Sequence, residues 1–354
     1  MAEESKGRKG RGAVGNPTGR FERFQVERDP GEDPPAPLRT IVTPEVTRTI
    51  ITRNDSPDIP FDRSINPYKG CEHGCIYCFA RPTHAYLGLS PGLDFETRIF
   101  SKPDAAARLR EELRRPGYRC EVMALGSNTD PYQPAERKLR ITRGVLETLA
   151  EHDHPVGIVT KSTLVLRDLD ILVPMAARNL VRVMLSVTTL RLDLARRMEP
   201  RAAPPRQRIE TIRALTEAKV PAGVLVSPVI PGLTDGEMER ILEAAAAAGA
   251  GTAGWILLRL PLEVKELFEA WLGEHEPLRA AHVLNLVRAT REGKLNQPEF
   301  GRRMRGTGPY AELLRRRFQI ACRRLGLDQE GPQLDTTRFR VPPRPGDQGT
   351  LFPS

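Results

Sequence analysis

The sequence predicts an α/β protein built on a mostly parallel sheet, and two observations predict it. Six short apolar segments of β character recur along the middle of the chain, at residues 64–68, 120–125, 156–160, 181–187, 223–230 and 253–258. Between them fall stretches with the 3.6-residue apolar period of amphipathic helices, at 103–115, 137–151, 166–177, 205–218 and 235–248. Strands joined through helices pair in parallel by right-handed crossovers, which gives a (β/α) layer structure. Six strands are too few for a complete eight-stranded barrel.

The elements divide the chain into four parts. Residues 1–38 are rich in Gly, Pro, Arg and Glu with few apolar anchors, so they are expected to form a flexible basic arm in which only Phe21 and Phe24 could dock. Residues 39–262 carry the alternating strands and helices. Residues 263–331 read as helical, at 263–274, 278–291 and 310–325, and form an extension capping the sheet layers. Residues 332–354 are Pro- and Arg-rich again and are expected to be a mobile tail.

Composition narrows the partners. The 354-residue chain has a formal charge of +9, and eight arginines, Arg302, Arg303, Arg305, Arg315, Arg316, Arg317, Arg323 and Arg324, crowd one C-terminal region. This fits a polyanion such as nucleic acid, against the plainer alternative of a solvated helix face. Aromatic residues make up only 5% of the chain, which argues against an extended base-stacking platform. No apolar run approaches membrane-spanning length and the N-terminus lacks the apolar core of a secretory signal, so a cytoplasmic protein with no membrane partner is expected.

Three of the five cysteines, Cys71, Cys75 and Cys78, fall within eight residues, and Gly70 and Gly74 precede two of them. Three clustered thiols cannot pair off as disulfides, and a reducing compartment would keep them free. A Cys/His zinc knot using His73 is one alternative, although His73 is cramped between Cys71 and Cys75. The other is a cubane iron–sulfur cluster in which each thiolate binds one iron and the fourth iron has no protein ligand.

The spacing of Cys71, Cys75 and Cys78, with aromatic Tyr77 just before the third cysteine, resembles the radical SAM superfamily. That resemblance implies a partial (β/α)6 TIM-type barrel, a 4Fe-4S cluster and S-adenosyl-L-methionine (SAM) bound at the open iron. A one-electron reductant would then drive cleavage of the sulfonium to a 5'-deoxyadenosyl radical that abstracts hydrogen from substrate. Chemistry in such barrels sits at the C-terminal strand ends, and the cysteine loop follows the first strand.

Other strand ends then become candidates to hold SAM. Asp130, in the polar turn 126–134, could receive the ammonium group, Lys161 could pair with the carboxylate, Ser186 could add a hydrogen bond, and Tyr77 could help to position the cofactor. The plain alternatives are a turn residue, a surface lysine and a buried hydroxyl. Together, the loop 71–79, the stretch 128–134, Thr160-Lys161-Ser162 and Ser186 resemble the group related to spore photoproduct lyase, often labelled DNA repair photolyases. In that lyase a lysine and a serine at the third and fourth strand ends contact SAM, which supports the reading of Lys161 and Ser186.

Two departures limit the inference. The lyase's hydrogen-donating cysteine precedes the aspartate at the second strand end, where this chain has Ser127-Asn128-Thr129-Asp130. A tyrosine follows the lyase's third cluster cysteine, where this chain has Phe79. A serine O–H bond is too strong to replace a thiol as hydrogen donor, so the photoproduct reaction does not transfer; Cys120 is the remaining candidate donor, against a structural thiol.

The tail adds a partner. Gln348-Gly349-Thr350-Leu351-Phe352 matches the Gln-x-x-Leu-Phe peptide by which bacterial DNA polymerases and repair proteins bind the sliding clamp, with Gln348 at a polar edge and Leu351 and Phe352 in an apolar pocket. The leading expectation is a radical SAM enzyme acting on nucleic acid, in DNA repair or modification. The alternatives are a radical SAM enzyme modifying RNA or protein, and a non-catalytic zinc- or Fe–S-containing nucleic-acid-binding protein.

Overall fold

The computed structural model describes residues 10–22, 38–328 and 333–343. The first strands are β1 (Ile41–Pro44), β2 (Ile51–Arg53), β3 (Arg63–Ile65) and β4 (Tyr68–Lys69), followed by a 3-10 helix over Arg81–Leu87, α1 (Asp94–Thr97) and β5 (Arg98–Ser101). The alternating part then runs α2 (Ala105–Leu113), β6 (Met123–Leu125), α3 (Glu136–Leu139), α4 (Ile141–Glu151), β7 (Val156–Thr160), α5 (Leu169–Ala177) and β8 (Val181–Ser186). It continues with α6 (Leu192–Met198), α7 (Pro205–Glu217), β9 (Ala222–Val229), α8 (Met238–Ala247) and β10 (Thr252–Leu257). Three helices follow, α9 (Val264–His275), α10 (Pro277–Ala289) and α11 (Gly308–Leu325).

The main sheet has the order β10-β9-β8-β7-β6-β3-β2. Every pairing from β3 to β10 is parallel, and β2 adds an antiparallel edge beside β3. The expected six parallel strands are therefore present in an open sheet, consistent with a partial barrel. Val181, Val183 and Leu185 of β8 are fully buried, as the period of two requires for a strand facing a core. Helix α4 turns Ile141, Val145, Leu146 and Leu149 to the same core at spacings of three and four. The outer edge of β10 is covered by residues 302–306, where Leu257 N–H donates to the Met304 carbonyl at 2.9 Å.

A second apolar cluster lies at the C-terminal end of the sheet. Ile76 and Tyr77 of the cysteine loop pack there with Leu258 and Leu260 and with Phe268 and Trp271 of α9 and Val283 and Val287 of α10. Helices α9 and α10 thus cap the strand mouth where the loop sits.

Several expectations need correction. The first strand stops at Ile65 because Pro67 has no N–H to donate, and Tyr68–Lys69 joins a separate sheet of order β1-β5-β4. The second begins at Met123, so Cys120 lies outside it. The helix expected at 137–151 is broken at Arg140, whose φ of 53° is left-handed. The arm is not uniformly flexible: Gly12 and Ala13 donate N–H groups to the Glu96 carboxylate at 3.0 and 2.8 Å, and Arg20 pairs with Glu263 at 2.7 Å. Phe21 docks on the main domain, its ring 5.2 Å from that of Tyr86 between centroids, although it stays 57% exposed, and Phe24 lies outside the described residues. Part of the tail is docked too, since Phe339 lies 5.5 Å from Tyr118 and 5.3 Å from His154 between ring centroids, and Arg340 N–H donates to the His152 carbonyl at 2.9 Å.

Candidate active site

The loop bearing Cys71, Cys75 and Cys78 folds where the sequence places it, between β4 and the 3-10 helix, at the C-terminal ends of the parallel strands. Its glycines are required. Gly70 and Gly74 have φ of 78° and 66°, and a Cβ on Gly74 would come within 2.7 Å of the Glu96 carboxylate. Below the loop, fully buried Arg81 donates to the carbonyls of Cys75 at 2.9 Å, Gly74 at 3.1 Å, Pro91 at 3.1 Å and Gly92 at 2.8 Å, and pairs with buried Glu96 at 2.6 Å. On the other side Gln133 accepts from Glu72 N–H at 3.0 Å and donates to the Gly70 carbonyl at 3.2 Å. The stretch after α6 completes the frame, with Ile76 N–H on the Met198 carbonyl at 3.0 Å and Arg201 on Glu72 at 3.1 Å.

The three thiols are free, with Cys71 and Cys75 buried and Cys78 partly exposed. Burial pushes each of them up, and the Cys71 thiol is raised further by Asp130, Cys75 and Cys78. Lys161, at the end of β7, faces the same enclosure. Burial pushes its ammonium down to about 8 while Cys75 pulls the other way, and it donates to Ser186 Oγ at 2.6 Å and to the Ser227 carbonyl at 3.3 Å. Its Nζ lies 5.7 Å from the Tyr77 ring centroid and 3.6 Å from Glu199. Lys161, Ser186 and Tyr77 are therefore brought together with the thiols.

Asp130 is nearby but committed elsewhere. Its Oδ1 accepts from Tyr132 N–H at 2.9 Å and Thr160 Oγ1 at 2.7 Å, and its Oδ2 accepts from Lys161 N–H at 2.7 Å and faces His73 Nδ1 at 3.3 Å. Burial would raise this carboxyl, but His73 and these donors outweigh burial and hold it below the usual range. These contacts let Asp130 tie β6, β7 and the cysteine loop together.

Cys120 lies at the other end of the sheet from the cysteine loop. It precedes β6, at the N-terminal end of the sheet, with Arg63 and Asp335 as charged neighbours, and burial pushes its thiol up to about 12. The cysteine loop sits at the opposite strand ends, whereas hydrogen transfer needs near contact. Ser127 stands at the end of β6 beside Asn66, 3.5 Å from its side-chain nitrogen. Gln348, Leu351 and Phe352 lie outside the described residues. A cavity of about 890 Å³ lined by Arg182, Thr252, Phe318 and Cys322 also opens at the N-terminal strand ends, away from the thiols.

Glu199 joins the site without any signal in the sequence. Buried after α6, it accepts from Thr188 Oγ1 at 2.7 Å, from the Tyr77 hydroxyl and from fully buried Arg208. No motif marks it, because its partners are distant in the chain.

The donor set fits a cubane better than zinc. The His73 ring is held by Asp130, and among the described residues no three His, Cys, Asp or Glu side chains converge on one metal ion. A cubane does not require such convergence, since each thiolate meets a different iron, and the Lys161 ammonium would offset the negative charge of thiolates that hold a cluster.

Comparison with known proteins agrees. The Radical SAM superfamily pattern matches residues 65–245. An uncharacterized protein of Mycobacterium tuberculosis is 38% identical over 298 residues, covering 83% of each chain. An uncharacterized protein of Methanocaldococcus jannaschii is 27% identical over 173 residues, covering 49% of this chain and 62% of its own. Among solved structures, spore photoproduct lyase complexed with dinucleoside spore photoproduct shares the fold, with a TM-score of 0.60 and 18% identity over 85% of each chain. A variant of that lyase with bound AdoMet and the same ligand gives a TM-score of 0.61, again at 18% identity and 85% coverage of each chain. The chain belongs to the radical SAM superfamily and is an enzyme of that class, with a 4Fe-4S cluster and SAM as cofactors.

Proposed function

We propose that this enzyme forms its radical in the enclosure of Cys71, Cys75 and Cys78 and directs it at nucleic acid, in DNA repair or modification. The three cysteines hold the cluster, Lys161 binds the SAM carboxylate, and Ser186 and Tyr77 fix the ammonium of Lys161 in place. When bound, the cluster and SAM supply one-electron sulfonium cleavage and hydrogen abstraction, with electrons from an external one-electron reductant. The chain supplies enclosure. Helices α9 and α10 keep water from the loop, Arg81 and Gln133 hold its backbone, and Asp130 faces its His73 ring.

The observation that carries this reading is the Lys161 ammonium, enclosed among the thiols with hydroxyl and carbonyl partners and a carboxylate only at 3.6 Å. A ligand carboxylate there would complete a charge-assisted bond. Nucleic acid as substrate is supported by the charge of +9, by the dinucleoside photoproduct bound to the lyase of similar fold, and by the clamp-type peptide with Gln348, Leu351 and Phe352. Because Ser127 stands at the lyase's donor position, the proposal covers the substrate class and not the photoproduct reaction.

Anaerobically reconstituted protein, given reductant and SAM, is expected to bind about four irons and to release 5'-deoxyadenosine. With deuterated DNA, RNA or protein pools, label should enter 5'-deoxyadenosine from DNA; label from RNA or protein alone would overturn the DNA reading. Clamp capture should be lost in Leu351→Ala and Phe352→Ala, and equal capture of all three chains would remove the clamp as partner.

A further inference from the structure

The crowded C-terminal arginines are mostly neutralised. Arg317 pairs with Glu239 at 2.7 Å, Arg324 with Glu243 at 2.5 Å, Arg315 with Glu312 at 2.5 Å and Arg302 with Glu292 at 3.1 Å. They form a solvated, charge-balanced face rather than an open basic patch.

Arg259 differs. It follows β10 by two residues at the strand mouth, and its guanidinium lies 5.3 Å from the centroid of the Phe79 ring, directly after Cys78. Among the described residues no carboxylate pairs with it. Its Nε is buried without a partner, and its Nη1 reaches only the Met304 sulfur at 3.5 Å. Asp58, the acid whose charge reaches Arg259, is already used by Arg303 at 2.8 and 2.6 Å and by Gly301 N–H at 3.2 Å. Burial lowers the Arg259 pKa and Arg303 adds to it, yet a guanidinium does not give up its proton in a protein. A half-buried cation beside a second cation, with no acid of its own, favours an anion at this point.

The neighbouring surface indicates which anion. Phe79 is 46% exposed and Phe300 is 55% exposed, and Arg303 lies 4.6 Å from the Phe300 centroid. Two part-exposed phenyl rings, each with an arginine over one face, offer their remaining surface for base stacking on either side of a charged backbone.

We propose that Arg259, with Phe79 beneath it and Arg303 alongside, forms a phosphodiester subsite that seats single-stranded DNA at the strand mouth next to the cysteine loop. This rests on the reading of DNA as substrate. A peptide carboxylate would satisfy the charge but would leave the two phenyl faces unused.

The test is anaerobic fluorescence anisotropy of a labelled single-stranded 12-mer on the reconstituted full chain, as wild type, Arg259→Gln and Arg259→Lys, across a salt series. Iron content and melting temperature matched to wild type establish that each variant is folded. Loss of one charge-assisted contact is expected to weaken binding about 10-fold in Arg259→Gln. The slope of log K against log salt should become shallower by about 0.7 in Arg259→Gln and stay unchanged in Arg259→Lys. Wild-type affinity and slope in Arg259→Gln would overturn the subsite while leaving DNA as substrate. A wild-type chain that binds no 12-mer and takes no label from DNA would overturn both.

Discussion

Arg81→Met removes the support on which the cysteine loop rests. The Arg81 guanidinium donates to four loop and turn carbonyls and to Glu96, and both members of the ion pair have no exposed side-chain surface. Met fills similar volume but leaves Glu96 as a buried carboxylate with only the Gly12 and Ala13 N–H groups. Breaking a buried pair from one side costs about 3–5 kcal/mol, a large part of a typical total stability of roughly 5–15 kcal/mol. For a chain of this length that corresponds to a fall in melting temperature of about 4–7 °C. Differential scanning calorimetry of the anaerobic protein reads the fall, and iron analysis after gel filtration should show reduced cluster retention. Arg81→Met with Glu96→Met should be less destabilised than the sum of the single changes by about 2 kcal/mol, because no charge is then left unpaired. A melting temperature within a degree of wild type and full iron content in Arg81→Met would refute the argument.

Three further outcomes are expected. His154 is buried and neutral, accepting from the Tyr118 hydroxyl at Nε2 at 2.8 Å with Nδ1 on the Pro155 carbonyl at 3.0 Å, and burial holds its pKa down to about 4. The unfolded imidazole takes a proton near pH 6.5 and the folded one does not. Stability is therefore full above that pH, falls by about 3 kcal/mol between pH 6.5 and 4, and levels off below. Urea unfolding of wild type and His154→Gln at pH 7 and 4.5 measures this, and equal pH slopes would contradict it. Lys161→Met should weaken SAM binding to cluster-loaded protein by about 10- to 100-fold by equilibrium dialysis, as expected for a lost charge-assisted bond. Cys120→Ala should retain both iron and 5'-deoxyadenosine formation, because that thiol lies at the opposite strand ends; loss of turnover with iron intact would restore it as a donor.

The parts that were legible in the sequence depend on neighbours in the chain. The six parallel strands follow from local apolar period, and the cysteine loop from three thiols and two glycines within nine residues. The proximity of Lys161 and Ser186 was legible because strand ends share one face in a parallel sheet, so the topology alone aligns them. The short sheet of β1, β5 and β4 was not legible, since strands of two to four residues carry too little periodicity. Nor was the docking of residues 10–22, whose Gly-rich composition reads as disorder until the Glu96 carboxylate supplies its hydrogen bonds.

By itself the sequence determined that this protein is an α/β enzyme of the radical SAM class and pointed to Cys71, Cys75 and Cys78 as the proposed cluster ligands, because ligands on one loop need only local geometry. Only the tertiary structure decided that Asp130 ties β6, β7 and the cysteine loop together, that Cys120 lies at the other end of the sheet, and that Glu199, Arg81 and Arg259 surround the site. The Tyr77 to Glu199 contact spans 122 residues and that of Gly12 with Glu96 spans 84. The worth of a buried charge depends on which partners reach it from across the fold, and sequence spacing carries no record of those partners.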